Sequence, residues 1–147
     1  MQIKRMAAVL AAVWLGMQLA FGYVAAPVLF KTLPKLQAGA IAGELFAFVS
    51  YAGLAVWLLV LAVQKSTARG RTMPAFKSAA AVWLLLAVNQ FLITPVIEAH
   101  KTQTANWLLS LAGGSFGVWH GISSLIFMLC ALLAAFAVWR LSDWYGD

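Results

Sequence analysis

Ionisable and amide side chains are few in this chain, and several fall inside long apolar runs where each must do something to offset the cost of sitting there. Glu44 and His120 are the clearest. A carboxylate and an imidazole at one depth can share a proton, hold a cation or bind a small polar molecule. Gln90, Thr94 and Glu98 recur at i, i+4 and i+8, which places them on one helical face, with Asn89 beside them. Gln18 adds an amide in the middle of another apolar run, and Ser123 and Ser124 follow His120 by three and four residues and extend its polar side.

Other chemistries find less support. Glu44, Glu98, His100 and His120 are metal-ligand types, but no HxxH or ExxH spacing pre-forms a pair on one helix, so a metal is neither implied nor excluded. A b-type haem would draw on His120 with Met17 or Met128 as the second axial ligand. No glycine-rich nucleotide loop is present, and no serine or cysteine stands in a nucleophile context, so the sequence supports no enzyme and names no cofactor.

The elements that carry these residues are set by composition. Hydrophobic residues make up 64% of the 147, charged residues 10%, and mean hydropathy is +0.91. A soluble domain has about 25% charged residues, so a soluble, disordered or disulfide-stapled chain is excluded and an integral membrane protein remains. A spanning helix needs about 20 apolar residues. Charge-free stretches then predict an all-α, four-helix membrane bundle in a single domain, with spans near 6–30, 39–63, 77–98 and 116–140. Lys4-Arg5 before an apolar run also describes a signal peptide, but the run from Met6 to Phe30 is too long for an h-region and reads as an uncleaved first span. The lone Cys130 falls in the fourth span and can make no intrachain disulfide.

Basic residues are split unequally between the two ends of such a bundle. Lys4, Arg5, Lys65, Arg69, Arg71, Lys77 and Arg140 lie at one end; Lys31, Lys35 and Lys101 lie at the other. The richer end is expected in the cytoplasm, with both termini, in the cytoplasmic (inner) membrane. The net charge of +6 is therefore a topology signal that meets lipid head groups, and no nucleic-acid partner is expected.

Depth along each span orders the remaining signals. Trp14, Trp57, Trp83, Trp139 and Trp144 toward the inner surface, and Trp107 and Trp119 toward the outer, read as interfacial anchors. Pro27 and Pro95, near the outer ends of the first and third spans, either bend and splay the bundle there or end the helices. Gly39 and Gly43 open the second span, and Gly113, Gly117 and Gly121 lead into the fourth. Such small surfaces allow close packing, so either these two helices touch or one run forms a homo-oligomer seam.

Glu44 and His120 each fall about eight residues, roughly 12 Å, outward of their midplanes, and are expected to pair. Polar groups thus gather in the outer half of the bundle while the inner half is Leu, Val, Ala and Trp. Two readings follow. One is a hydrated pocket, formed by Gln18, Glu44, Asn89, Gln90, Thr94, Glu98, His120, Ser123 and Ser124, that binds a small solute. The other is a hydrogen-bond network that fixes helix register.

Two stretches carry a family resemblance. One runs from Trp14-Leu-Gly-Met-Gln18 through Phe30-Lys-Thr-Leu-Pro34 and Gly39 to Leu45-Phe46-Ala-Phe48; the other is His120-Gly-Ile-Ser-Ser-Leu125, joined by Asn89 and Pro95. With these the chain resembles the transmembrane protein 205-like family. The resemblance implies a small four-helix membrane protein and, in the animal branch, an association with tolerance of platinum drugs through export or membrane trafficking. It implies no catalytic role. Gln18, Asn89, His120, Ser123 and Ser124 match the resemblance, whereas Glu44 does not, and the loop after the third span lacks the long hydrophilic insertion of the animal members. Three functions remain open: a transport-related protein assisting export of or tolerance to small solutes or metal drugs, a haem-containing redox protein, and a non-catalytic accessory scaffold.

Overall fold

The computed structural model describes residues 2–66 and 74–143, which are almost wholly helical and contain no strand. Five helices follow in order: α1 (Gln2–Thr32), α2 (Lys35–Lys65), α3 (Pro74–Thr102), a short α4 (Trp107–Ala112) and α5 (Phe116–Asp143). All but α4 are long and apolar enough to cross a membrane. Each extends past the charge-free run that predicts it, because lysines such as Lys35, Lys65 and Lys101 join the terminal turns, from where a long side chain reaches the surface. Arg69, Arg71 and Trp144 lie outside the described residues.

The four long helices form an antiparallel ring in chain order, α1 against α2, α2 against α3, α3 against α5, and α5 back against α1. The seam that closes it is written in alanines. Ala7, Ala11 and Trp14 on α1, Ala75, Ala79, Val82 and Leu86 on α3, and Cys130, Ala134, Ala137 and Leu141 on α5 repeat at alternating steps of three and four, and all are buried. Small side chains at this spacing let backbones approach where lipid provides no hydrophobic drive. Against them pack two large rings, Trp14 and Trp57, 5.7 Å apart and edge to face. Trp14 donates its indole N–H to Val49 O at 2.8 Å. Trp14 and Trp57 are therefore core residues, 1% and 0% exposed, and not the interfacial anchors expected of them. The exposed Trp107 and Trp139 keep an anchor's position, and Arg140 lies 5.9 Å over the Trp139 ring.

Neither proline ends its helix. Each is preceded by one π-helical turn of five residues, Phe21–Ala25 before Pro27 and Asn89–Ile93 before Pro95. A proline lacks the N–H its helix expects and its ring crowds the preceding turn. Widening that turn to i→i+5 bonding keeps the ladder intact: Ala26 N–H reaches Phe21 O and Thr94 N–H reaches Asn89 O. The Thr94 hydroxyl donates to the same Asn89 oxygen at 2.9 Å.

These two turns mark where the ring opens. On the side of the chain termini, α1 packs on α5 and α2 packs on α3. Beyond Phe21 and Asn89, α1 stays with α2 and α3 stays with α5, and the two hairpins part. The α3–α5 hairpin keeps its own small core of Ile93, Val96, Ile97 and Trp119. Gln103, at φ 56°, ends α3, and Asn106 starts α4 by accepting Leu108 N–H and Leu109 N–H at 2.9 and 3.1 Å.

Candidate functional site

Where the hairpins part they leave a cavity of about 310 Å³. All four long helices line it. α1 gives Gly22, Tyr23 and Phe30; α2 gives Gly39, Gly43, Phe46, Ala47 and Ser50; α3 gives Asn89, Gln90, Thr94, Glu98 and Lys101; α5 gives Phe116, His120, Ser123, Ser124 and Phe127. A wider recess of about 720 Å³ shares its mouth and reaches Lys35, Leu36 and Glu44.

Phe127 makes the floor. Its ring meets Phe46 edge to face at 5.1 Å, and its other side closes on Gly22, where a Cβ would stand only 2.6 Å from Phe127 Cε1. Beneath it, Gln18 donates its side-chain amide to the Phe127 carbonyl at 2.8 Å and is fully buried. Gln18 thus lies below the floor, as a link between α1 and α5, and does not line the cavity.

The deepest polar groups are on the π-turn of α3. Asn89 and Gln90 are 7% and 8% exposed, and both line the cavity. Asn89 Oδ1 is buried without a hydrogen-bond partner among the described residues. Buried amide oxygens are nearly always paired, and leaving one unpaired costs about 1–3 kcal/mol. The π-turn brings this amide to the cavity: its extra backbone residue turns the helix face at the height where the hairpins separate.

The charged groups stand higher. Lys101 Nζ lies 2.7 Å from Glu98 Oε1, and the same ammonium lies 3.8 Å from where a Cβ on Gly43 would stand. The two opposite charges at the rim are satisfied by each other, so the floor carries no net charge. His120 is exposed at the mouth and stacks on Phe116 at 5.8 Å, with Phe116 in turn edge to face with His100 at 6.4 Å. Ser124 spends its hydroxyl on His120 O at 2.9 Å.

Three sequence expectations are altered by this geometry. Glu44 and His120 both border the wide recess, but among the described residues they make no hydrogen bond or ion pair with each other; α2 and α5 stand diagonally across the ring. For the same reason Gly39 and Gly43 do not pack on Gly113, Gly117 and Gly121. Gly39 and Gly43 face the cavity, and a side chain added at Gly113 or Gly121 would meet open space. The third concerns haem. Met17 packs against the buried core and Met128 faces outward, so neither joins His120 at the cavity. No group of three or more His, Cys, Asp or Glu side chains able to hold a metal ion is found among the described residues.

Several lining residues carry no ionisable signal and were not singled out from sequence. Ser50, 3% exposed, shares a face with Gly39, Gly43 and Phe46. The small–small–aromatic–hydroxyl series at steps of four, three and four is a signal for that face. Phe30, Phe116 and Phe127 are indistinguishable from lipid-facing residues until the cavity is seen.

The fold and this cleft define a multi-pass, four-helix membrane protein with a largely apolar recess, set with a few polar groups, at one end of the bundle. The chain belongs to the family described as Domain of unknown function (DUF4149), whose model matches residues 9–106. That match takes in α1, α2, α3 and the polar turn after it, and stops short of the His120-Gly-Ile-Ser-Ser-Leu125 run on α5. No curated protein and no solved structure matches the chain.

Proposed function

We propose that this is a ligand-binding protein of the cytoplasmic membrane, whose cleft takes up a small polar or amphipathic molecule at the exoplasmic side and thereby assists its export or raises tolerance to it. The observation that carries this reading is Asn89. The residue lines a cavity of about 310 Å³ and its amide oxygen is buried without a partner among the described residues, so a turn of the amide presents an acceptor to a ligand's hydrogen-bond donor. Gln18 and Gln64 also carry unpartnered amide atoms, but neither lines the cavity; Asn89 does. The orientation is supported by charge: Lys4, Arg5, Lys65, Lys77 and Arg140 fall at the apolar end, and Lys31, Lys35 and Lys101 at the cleft end. Resemblance to the transmembrane protein 205-like family supports tolerance as the physiological readout, and the lipid bilayer is the surrounding partner.

Two variants test the reading. Asn89→Leu keeps the branched shape and removes the orphan; His120→Ala strips the mouth. At parental abundance in the membrane, both are expected to lose a co-purifying small molecule seen by native mass spectrometry of the full chain, and to lower tolerance in cells. Parental behaviour in both assays overturns the proposal.

A further inference from the structure

The wide recess separates α2 from α3 at this end, with Gly43, Glu44 and Ala47 on one side and Thr94, Glu98 and Lys101 on the other, and forms a window between the two helices. Its sill is the edge-to-face pair Tyr51–Phe91, 6.3 Å apart, both rings more than half exposed. Its lintel is Lys101, whose ammonium closes on Gly43. From position 43 to position 51 is eight residues, so the window is roughly 12 Å tall. The α2 edge between sill and lintel is lined by Ala47, which borders both the inner cavity and the wide recess. In a bilayer the exposed rings of this sill would meet acyl chains, and Phe46, Phe116 and Phe127 line the cavity behind.

The chemistry inside is selective. Asn89 Oδ1 asks for a donor, and Gln90 beside it offers both a donor and an acceptor. Glu98 and Lys101 neutralise each other above them, so nothing at the floor compensates a charged head group. Burying an uncompensated charge costs far more than burying a hydroxyl that finds its partners. Of the neutral donors, a hydroxyl gives and accepts through one small atom, which matches Asn89 Oδ1 and Gln90 together.

We infer that the ligand is a neutral amphiphile with a hydroxyl-bearing head, which enters sideways from the bilayer through the α2–α3 window, seats its head at Asn89 and Gln90 and leaves its chain in the window. This rests on the proposed ligand-binding role and adds the class of ligand and its route. Alcohols of glycerolipids and phenolic head groups of isoprenoid-like carriers share this chemistry, and the test separates them.

The full chain is reconstituted in phosphatidylcholine nanodiscs with a monoacylglycerol carrying a photoreactive diazirine on its chain, and labelled peptides are mapped by mass spectrometry. Labelling is expected in the α2 and α3 segments around Ala47, Phe91 and Thr94. Dioctanoylglycerol competing better than an alkyl hydroquinone assigns a glycerolipid alcohol; the reverse order assigns a phenol. Asn89→Leu is expected to weaken labelling about ten-fold, the weight of one hydrogen bond to a buried group. Ala47→Trp, which fills the edge of the window, is expected to abolish it, while Ala47→Ser, which leaves the window open, keeps it. Labelling unchanged in Ala47→Trp overturns the lateral route and leaves the ligand-binding role standing. Free glycerol or another soluble polyol competing as well as dioctanoylglycerol overturns the amphiphile class and again leaves that role. Uniform labelling along all lipid-facing helices, indifferent to Asn89→Leu, overturns both.

Discussion

Gly22 and Phe127 are fitted to one another across the α1–α5 side of the bundle: the ring occupies the space that any larger residue at position 22 would need. Gly53 stands in a similar relation to Trp14 and Leu86, with a Cβ there meeting Trp14 Nε1 and Cε2 at 2.6 Å and Leu86 Cδ1 at 2.7 Å. The surroundings differ. Trp14 and Leu86 are fully buried and cannot yield, whereas Phe127 borders a cavity.

Gly53→Ala is therefore expected to cost the full overpacking penalty of about 1–3 kcal/mol, read as loss of thermal stability of the detergent-solubilised protein. Gly22→Ala is expected to cost less stability but to push the Phe127 ring into the cleft and reduce ligand occupancy. Equal destabilisation by the two alanines, with occupancy intact in Gly22→Ala, would contradict the placement of the cavity floor.

Gln18 separates a structural amide from a binding one. Its single bond to Phe127 O joins α1 to α5, and its own Oε1 is buried without a partner. Gln18→Leu removes a bond worth about 0.6 kcal/mol in a membrane bundle together with an unpaired oxygen that costs about 1–3 kcal/mol, so stability is expected to stay level or rise. Ligand occupancy should be parental. An occupancy loss as deep as that of Asn89→Leu would place Gln18 in the site after all.

The rim ion pair predicts very little stabilisation. Lys101 and Glu98 are adjacent turns of one helix with side chains 36% and 52% exposed, and such pairs contribute about 0–1 kcal/mol. Glu98→Gln should leave the melting temperature nearly unchanged. It also leaves Lys101 without its counter-charge at the mouth, so binding of a fatty-acid probe, whose carboxylate the parent disfavours, should rise relative to the monoacylglycerol. An unchanged preference between the two probes argues against charge neutrality as the selective feature.

The four spans were legible because charges delimit them: Arg5 to Lys31, Lys35 to Lys65 (broken only by Glu44) and Lys77 to Glu98 each hold one span, and the polar residues between Thr102 and Gly114 trim the longer stretch before Arg140 to one more. The polar end was legible too, since Asn89, Gln90, Thr94 and Glu98 share a face without any knowledge of neighbours. What faces what was not. Two glycine runs of equal spacing on α2 and α5 suggested contact, yet the tight seams are alanine series such as Ala75, Ala79 and Val82, which composition alone does not distinguish from lipid-facing alanine. Tryptophan misled in the same way. Trp14 and Trp139 are alike in one dimension, and only packing decides that the first is core and the second surface. The π-turns had a visible cause in Pro27 and Pro95, but whether a proline ends, kinks or widens a helix depends on neighbours that hold the chain straight.

That last ambiguity gives the most direct test of how the cleft is built. Pro95→Ala restores an N–H to α3 and removes the ring that forces the turn Asn89–Ile93 open. With both constraints gone, the turn is free to tighten to α-helical bonding, which takes one residue out of the bulge. Everything beyond it then rotates by about 100° relative to everything before, the angle of one residue on a helix of 3.6 per turn. Glu98 and Lys101 would leave the face that Asn89 shares with the cavity. Spin labels on the α3 rim and on the distant α1 rim should report a changed distance in Pro95→Ala, with ligand occupancy lost and thermal stability lowered, since the rotation also turns Val96, Ile97 and Ala99 away from Trp119, which outweighs the one hydrogen bond gained. Thr94→Val in the parent background, which deletes only the hydroxyl bond to Asn89 O, should leave that distance where it was. If Pro95→Ala keeps the parental distance and occupancy, the π-turn is held by packing around Asn89 and not by the proline, and the cleft is a property of the side chains beneath it.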